Sequence, residues 1–300
     1  MRRLKSLVRD STVYLYWRRL RFRPIAFMHV PKTAGTSLME SIHAAIRPRV
    51  DVRGFDRCLF GDFTEWNSLL PDLRRDVYLS PEEMPRNAGL IMGHFALSSL
   101  RARYPWARLV TVLREPESRL LSHFVYWRSQ TDAMLRNAGP LWSRRVATAR
   151  GTLEDFLADP SVAAQTDNIV TRMLLWPDDG VPPGGFIDPA DDARLLADAR
   201  RRLRDFSHVG FVEQPGGIFP GLARMLHHKL EDRHLNETAP VPAELALDLG
   251  RALTPRVRHL LVERSRLDLA LWQDAAGGVA TELAGIRAAC VAHLSRRLKP

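Results

Sequence analysis

Lys32, Gly35 and three hydroxyl residues, Thr33, Thr36 and Ser37, lie together in the stretch M-H-V-P-K-T-A-G-T-S-L at 28–38, with Ala34 completing the turn. The apolar run IAFMHV at 25–30 reads as a buried strand before them, and SLMESIHAAI from Ser37 reads as a helix after them, capped by Thr36 or Ser37. A strand running through a polar turn into a helix is an anion site by design. Free amides at the helix N-terminus point outward, and the helix dipole adds partial positive charge. Gly35 removes a side chain where backbone must approach a ligand, Lys32 supplies a mobile full charge, and the hydroxyls add donors.

The order of these residues is not that of G-x-x-x-x-G-K-[ST], because Lys32 precedes Gly35. The strand LVTVLR at 109–114 also ends in Arg114 and not in an aspartate. An aspartate there would hold Mg²⁺, whereas an arginine contacts phosphate directly. The expectation is an anionic nucleotide bound without a metal. Arg114, Arg119 and Ser122 line one side of a pocket at the carboxyl end of that strand, where ligands of open α/β sheets bind. Glu115-Pro116 stops the strand, and a helix follows at 117–128.

H-V-P-K-T-A-G-T-S-L resembles the 5′-phosphosulfate loop of sulfotransferases, and L-R-E-P-E-S-R-L-L-S-H-F resembles their 3′-phosphate motif, an Arg and a Ser eight apart. The nearest branch is the carbohydrate sulfotransferase type 2 family, relatives of heparan sulfate 2-O-sulfotransferase. G-H-F at 93–95, D-N-I-V-T-R-M-L at 167–174, V-G-F-V-E at 209–213 and L-N-E-T at 235–238 follow in the family's order. Glu115 stands where Asp or Asn is commoner, and Ala34 where Gly often stands. The resemblance implies sulfuryl transfer from 3′-phosphoadenylyl sulfate (PAPS) to a hydroxyl, with 3′-phosphoadenosine 5′-phosphate (PAP) as spent donor and no metal required.

In that reading Lys32 contacts the phosphosulfate and stabilises the bridging oxygen as it gains charge. Thr33, Ala34, Gly35, Thr36 and Ser37 cradle the same group, and Arg114 and Ser122 hold the 3′-phosphate. His94, after Gly93 at a strand end, is the expected general base, as the 2-O branch uses a His in a similar context. Glu115 is the fallback base. His29 is given a structural role and His123 a helix-packing one. Asn168 and Arg172 share a helix with Thr171, and the resemblance places that helix near the acceptor. Trp106, Trp127, Trp142 and Trp176 could stack on sugar rings, and none is assigned. The acceptor is expected to be carbohydrate-type, such as an acidic glycan or a glycolipid.

The elements needed to position these groups are legible as alternating strands and helices, which argues for a P-loop-NTPase-like three-layer α/β fold with a central parallel sheet flanked by helices. Further strands are expected at 90–94 and 208–213, and helices at about 152–158, 163–176 and 190–205. Residues 51–75 read as irregular. The Pro/Gly-rich PDDGVPPGGFIDP at 177–189 reads as a surface loop within one sulfotransferase domain, 25–300. Residues 1–24 read as a basic arm that makes at most weak contact with an anionic membrane surface.

The 300 residues carry a net charge of +10, which suits an anionic ligand. Only four of the 44 basic residues are lysine, a skew that identifies no partner, and the charge is spread along the chain, so no nucleic acid is expected. Two cysteines, Cys58 and Cys290, exclude a disulfide framework, and no Cys/His zinc spacing occurs. No run of uncharged apolar residues long enough for a transmembrane helix is read, and a soluble cytoplasmic enzyme of bacterial origin is expected. Two rival classes remain open. A nucleotide kinase or phosphotransferase requires Mg²⁺ and a carboxylate at a strand end; a non-catalytic anion- or nucleic-acid-binding protein requires steep salt dependence and no reaction.

Overall fold

A computed structural model of the chain describes residues 23–59, 71–136, 139–231 and 239–299. Six strands form one sheet: β1 (Ile25–Met28), β2 (Asp51–Asp56), β3 (Val77–Tyr78), β4 (Leu90–His94), β5 (Arg108–Leu113) and β6 (His208–Phe211). All pairs are parallel, in the order β3-β2-β4-β1-β5-β6. The helices that bear on the site are α1 (Gly35–Ile46), α2 (Leu97–Arg103), α3 (Pro116–Arg128), α4 (Ile169–Leu175), α5 (Asp192–Leu203), α6 (Phe219–Leu226), α7 (Pro255–Ala276) and α8 (Leu283–Leu298).

The period of two along each strand sorts side chains onto two faces. Ile25 and Phe27 of β1 join Leu90, Met92, Val110 and Val112 against α1 and α6. Ala26 and Met28 join Ile91, Leu109 and Leu113 against α2, α4, α5 and the second half of α7. Every residue of β1 is buried, as a central strand covered on both faces must be. The expected three-layer α/β fold with a helix-flanked parallel sheet is therefore the observed one. A further cluster unites α3 with the first half of α7, with α8 and with the helix Leu153–Ala158, through Phe124, Trp127, Phe156, Leu260, Leu261 and Leu294 among others.

The strands expected around 25, 90, 109 and 208 are all present. β2 and β3 were not expected, because Asp51, Arg53, Gly54 and Asp56 hide the alternation. Gly54 has φ +135°, and a Cβ there would lie 2.0 Å from the Asp76 carbonyl. The close approach of β2 to the segment entering β3 thus needs glycine. The helix expected over 163–176 is broken: Ala163–Thr166 ends at Asp167, and Asn168 turns left-handed with φ 47° before α4 starts. Among the described residues one helical run, Pro255–Leu298, is long and apolar enough to cross a membrane by length and composition alone, and little of its apolar window is buried. The arm at 1–24, apart from its last two residues, and the L-N-E-T segment lie outside the described residues.

The break at 167–168 is built around charge. Asp167 is fully buried and receives Arg172 Nη2 at 2.8 Å and the Ile187 amide at 2.8 Å. Arg172 also donates to the carbonyls of Asp167, Pro182 and Gly185. Asn168 Oδ1 accepts from the amides of Leu267 and Asp268, and Asp268 in turn accepts from Val170 and Thr171 at the start of α4. These bonds pin the 177–189 loop and α7 to α4. Arg172 is 2% exposed and Asn168 1%. Both side chains are spent on internal partners, Arg172 on Asp167 and three carbonyls and Asn168 on the start of the second half of α7.

Loss of Arg172 removes the 2.8 Å partner of Asp167 and leaves three carbonyls unbonded, with Arg266 at 3.7 Å and Arg264 at 3.9 Å as weaker partners for the acid. Arg172→Ala is expected to lower stability by about 3–5 kcal/mol in urea titration. Unchanged stability would restore Arg172 as a surface group available to substrate.

Candidate active site

The centre of the site is the turn from β1 into α1. Lys32 (φ 68°) and Ala34 (φ 59°) are left-handed, an alternation that folds the chain back within three residues. Thr33 is fully buried and its hydroxyl donates to the Val30 carbonyl at 2.8 Å, so only its amide is left for a ligand. Helix α1 begins at Gly35, two residues earlier than a Thr36 cap would place it and three earlier than a Ser37 cap. Ala34 is the N-cap, no side chain caps the helix, and its first turn holds no acidic residue. The positive end of the helix dipole thus meets no carboxylate of its own first turn, which favours an anion there.

Gly35 is required for a reason different from the expected one. A Cβ on it would lie 2.0 Å from Nε2 of His29. The neighbour that excludes a side chain is the His29 ring, not the ligand. That ring is buried and stacks on Phe27 at 5.6 Å and on His94 at 4.4 Å. His29 is held well below its ordinary pKa, by burial first and then by His94 and Lys32.

His94, the last residue of β4, completes the stack against Phe55 of β2 at 5.4 Å. Its Nδ1 lies 2.6 Å from the His29 carbonyl oxygen. A carbonyl can only accept, so Nδ1 carries the proton and Nε2 keeps its lone pair. Burial pushes His94 down to about 4, while the bond to the His29 carbonyl opposes the fall. The ring is therefore neutral at physiological pH, in the tautomer of a proton acceptor. Gly93 before it faces Gly54 across the strands, and a Cβ on Gly93 would lie 2.2 Å from the Gly54 carbonyl.

Opposite stands α3. Arg119, Ser122, His123 and Tyr126 recur at i, i+3, i+4 and i+7, one face of the helix. The Lys32 ammonium sits 4.0 Å from the centroid of the Tyr126 ring. Burial and then Arg114 lower Lys32 to about 8. Arg114, just beyond β5, donates to the Lys32 carbonyl at 3.3 Å and lies 3.4 Å from Cys290 Sγ of α8. The expected donor-site residues Lys32, Gly35 and Arg114 thus meet, while Ser122 lies on α3, buried, on the face shared with Tyr126.

Glu115 is removed as fallback base. Its carboxylate caps α3 through the amides of Glu117 and Ser118, and pairs with Arg287 of α8 at 3.0 Å. The Glu115 amide donates to Glu213 after β6, which fixes the turn that carries Arg114. Tyr126, Glu213 and Arg287 were missed in the sequence; only the helical period from Ser122 could have flagged Tyr126. Of the tryptophans, Trp127 is buried on Trp142 and Phe156, Trp176 packs on the core, and Trp106 is exposed.

No protein-family model matches the chain, and no curated protein matches it in sequence.

The contact of His29 with Gly35 predicts a specific coupling. Gly35→Ala is expected to cost about 1–3 kcal/mol by overpacking. Combined with His29→Ala, the loss in urea titration should be smaller than the sum of the two single variants; strict additivity would mean the ring does not occupy that space.

Proposed function

We propose that the chain is a PAPS-dependent sulfotransferase that moves a sulfuryl group to a hydroxyl on a carbohydrate or glycoconjugate acceptor. The observation that carries this reading is the joint placement of two groups. His94 has its Nε2 lone pair free because Nδ1 is tied to the His29 carbonyl, and the His29 ring abuts the lysine-bearing, uncapped start of α1. One group takes up a proton, and the other holds an anion.

The chain fits a polyanionic donor. Among the described residues Lys32 has an aromatic ring beside it and no carboxylate in ion-pair contact, and Arg114 brings a second cation to the same turn. When bound, the donor supplies an activated sulfuryl group with PAP as leaving group. Lys32 and the amides of residues 33–37 would hold its phosphosulfate, and Arg114 with Ser122 its 3′-phosphate. Lys32 would neutralise charge gathering on the bridging oxygen as the bond to sulfur breaks. His94 would accept the acceptor hydroxyl proton on Nε2, while its Nδ1–H stays on the His29 carbonyl and stabilises the imidazolium that forms.

Calorimetric titration with PAP, alongside ATP with Mg²⁺, tests the donor. Binding of PAP without metal and tighter than ATP is expected. Preference for ATP with Mg²⁺ would favour a kinase, and binding of neither would refute a nucleotide site. Lys32→Ala and Arg114→Ala should each weaken PAP by about tenfold or more. His94→Gln should leave PAP affinity unchanged but lower transfer by roughly 10²–10⁴.

The pH dependence has a stated sign. Lys32 binds anions as the ammonium, and a bound anion raises its pKa. Binding therefore takes up a proton above the free value of about 8, and PAP affinity should fall by up to about tenfold per pH unit there. Lys32→Arg should flatten that fall. On the acid side kcat/KM should rise through about 4, the value of His94 in the free enzyme. The corresponding limb of kcat should lie higher, because the donor's charge favours the imidazolium.

A further inference from the structure

All six strands run in one direction, so their amino ends share one edge of the sheet, opposite the edge that carries Lys32, His94 and Arg114. An arginine leads into every strand: Arg23 before β1, Arg49 before β2, Arg75 before β3, Arg86 before β4, Arg108 at the start of β5 and Arg204 before β6. Backbone bonds tie this edge together. The Gly89 amide donates to the Val50 carbonyl, Ile25 to Gly89, Arg108 to Pro24 and Ser207 to Leu109. Neighbouring strand starts are thus roughly 4.8 Å apart, and the sequence repeats a cation at each. All but Arg108 are exposed.

The aspartates in the same segments, Asp51, Asp76 and Asp205, are fewer. Asp51 pairs with Arg53, and Asp205 faces Arg101. Arg108 donates to the Met225 carbonyl at the end of α6, while burial and then Arg23 hold it below its ordinary pKa. Helices α1, α2, α5 and α6 all end at this edge, and their carbonyl ends favour cations. That explains how the arginines are tolerated together, but it leaves the edge positive toward solvent.

Trp106 stands in the turn that enters β5, 69% exposed. Its turn is braced. The Tyr104 hydroxyl donates to the Pro85 carbonyl at 2.6 Å, the Ala107 amide to the Tyr104 carbonyl at 2.9 Å, and Arg101 Nη1 to the Pro105 carbonyl at 3.4 Å. The indole is therefore held outward among the arginines. The chain also enters the sheet here, from a segment (residues 1–22) whose sequence has Asp10 as its one acid and carries V-Y-L-Y-W between basic residues.

We propose that the amino edge of the sheet docks on an anionic lipid surface, with the Trp106 indole at headgroup level and the strand-leading arginines on lipid phosphates. This stands apart from the sulfotransferase reading. One apolar anchor gives only marginal membrane binding, and a basic patch supplies the second signal. Indole suits the interface because its ring is apolar and its N–H is polar. A single-stranded nucleic acid fits less well: among the described residues Trp106 is the one exposed large aromatic at this edge, so successive bases find no stacking platform. Docked in this way, Lys32 and His94 face away from the bilayer.

The test is flotation of the full chain with phosphatidylcholine vesicles, with and without phosphatidylglycerol. Only the anionic vesicles should carry the chain, and less of it as salt rises. Arg49→Gln and Arg86→Gln should each weaken partition by about fivefold, and Trp106→Ala should weaken it as well. Arg256→Gln with Arg258→Gln, exposed at the start of α7, removes the same charge elsewhere and should weaken it far less. No flotation with anionic vesicles, equal flotation with phosphatidylcholine alone, or an equal loss from the α7 pair would overturn the proposal. So would undiminished flotation of the Trp106, Arg49 and Arg86 variants, which would assign the binding to residues 1–22. Tighter binding of a single-stranded oligonucleotide than of anionic vesicles at the same salt would also overturn it. The substituted side chains are exposed, and an unchanged urea midpoint verifies that each variant is folded.

Discussion

The His29 imidazole lies in the space that a side chain at position 35 would fill, and most of the site depends on that contact. Because residue 35 is glycine, α1 can start against the ring. Because the ring is held there, the His29 carbonyl meets Nδ1 of His94. One packing contact thus sets where the helix N-terminus opens and which nitrogen of the neighbouring histidine is free. The aromatic column from Phe27 through His29 and His94 to Phe55 spans three adjacent strands, so His94 rides on the centre of the sheet and not on a loop.

The electrostatics follow from how the carboxylates are used. Glu115 caps α3 and pairs with Arg287, Asp268 caps the start of α4, and Asp167 holds Arg172. Each of these acids lies close to the site in sequence or space, and each is consumed by helix ends or an internal ion pair. Asp268 still acts on Arg119 and Glu213 on Arg114, whereas Lys32 stands beside Arg114 and an aromatic ring. Burial depresses Lys32 and Arg119, the latter to about 10, because every charge there lacks solvent. An incoming anion relieves both the desolvation and the repulsion, which is a physical reason for such a site to select a multiply charged ligand.

Residues far apart in the chain close the site from behind. Arg287 and Cys290 of α8 reach Glu115 and Arg114. The Asp167 network joins α4, α7 and the Pro/Gly-rich loop. These contacts fix the position of the turn after β5, and through it the arginine that meets the Lys32 carbonyl.

Much of this was readable from residues alone. The apolar runs at 25–30, 90–94 and 109–114, with glycine and proline between elements, determine a parallel α/β sheet, since continuous apolar strands must be covered on both faces. The cluster of Lys32, Gly35 and hydroxyls after a strand marks an anion-binding turn, and Gly93-His94 marks a histidine at a strand's end. β2 was hidden because its charged and glycine residues break the apolar pattern, and β3 because two residues, Val77 and Tyr78, are too few to show one. The internal bonds of Asn168 and Arg172 were not legible, because helical spacing cannot tell an exposed polar face from one facing a buried aspartate. Only the tertiary structure decided that Gly35 makes room for His29 and that Glu115 is a cap. Glu115 also reaches Arg287 across 172 residues, and the His29 ring comes over Gly35 only once the turn has folded; local periodicity carries no information about what stands opposite a side chain.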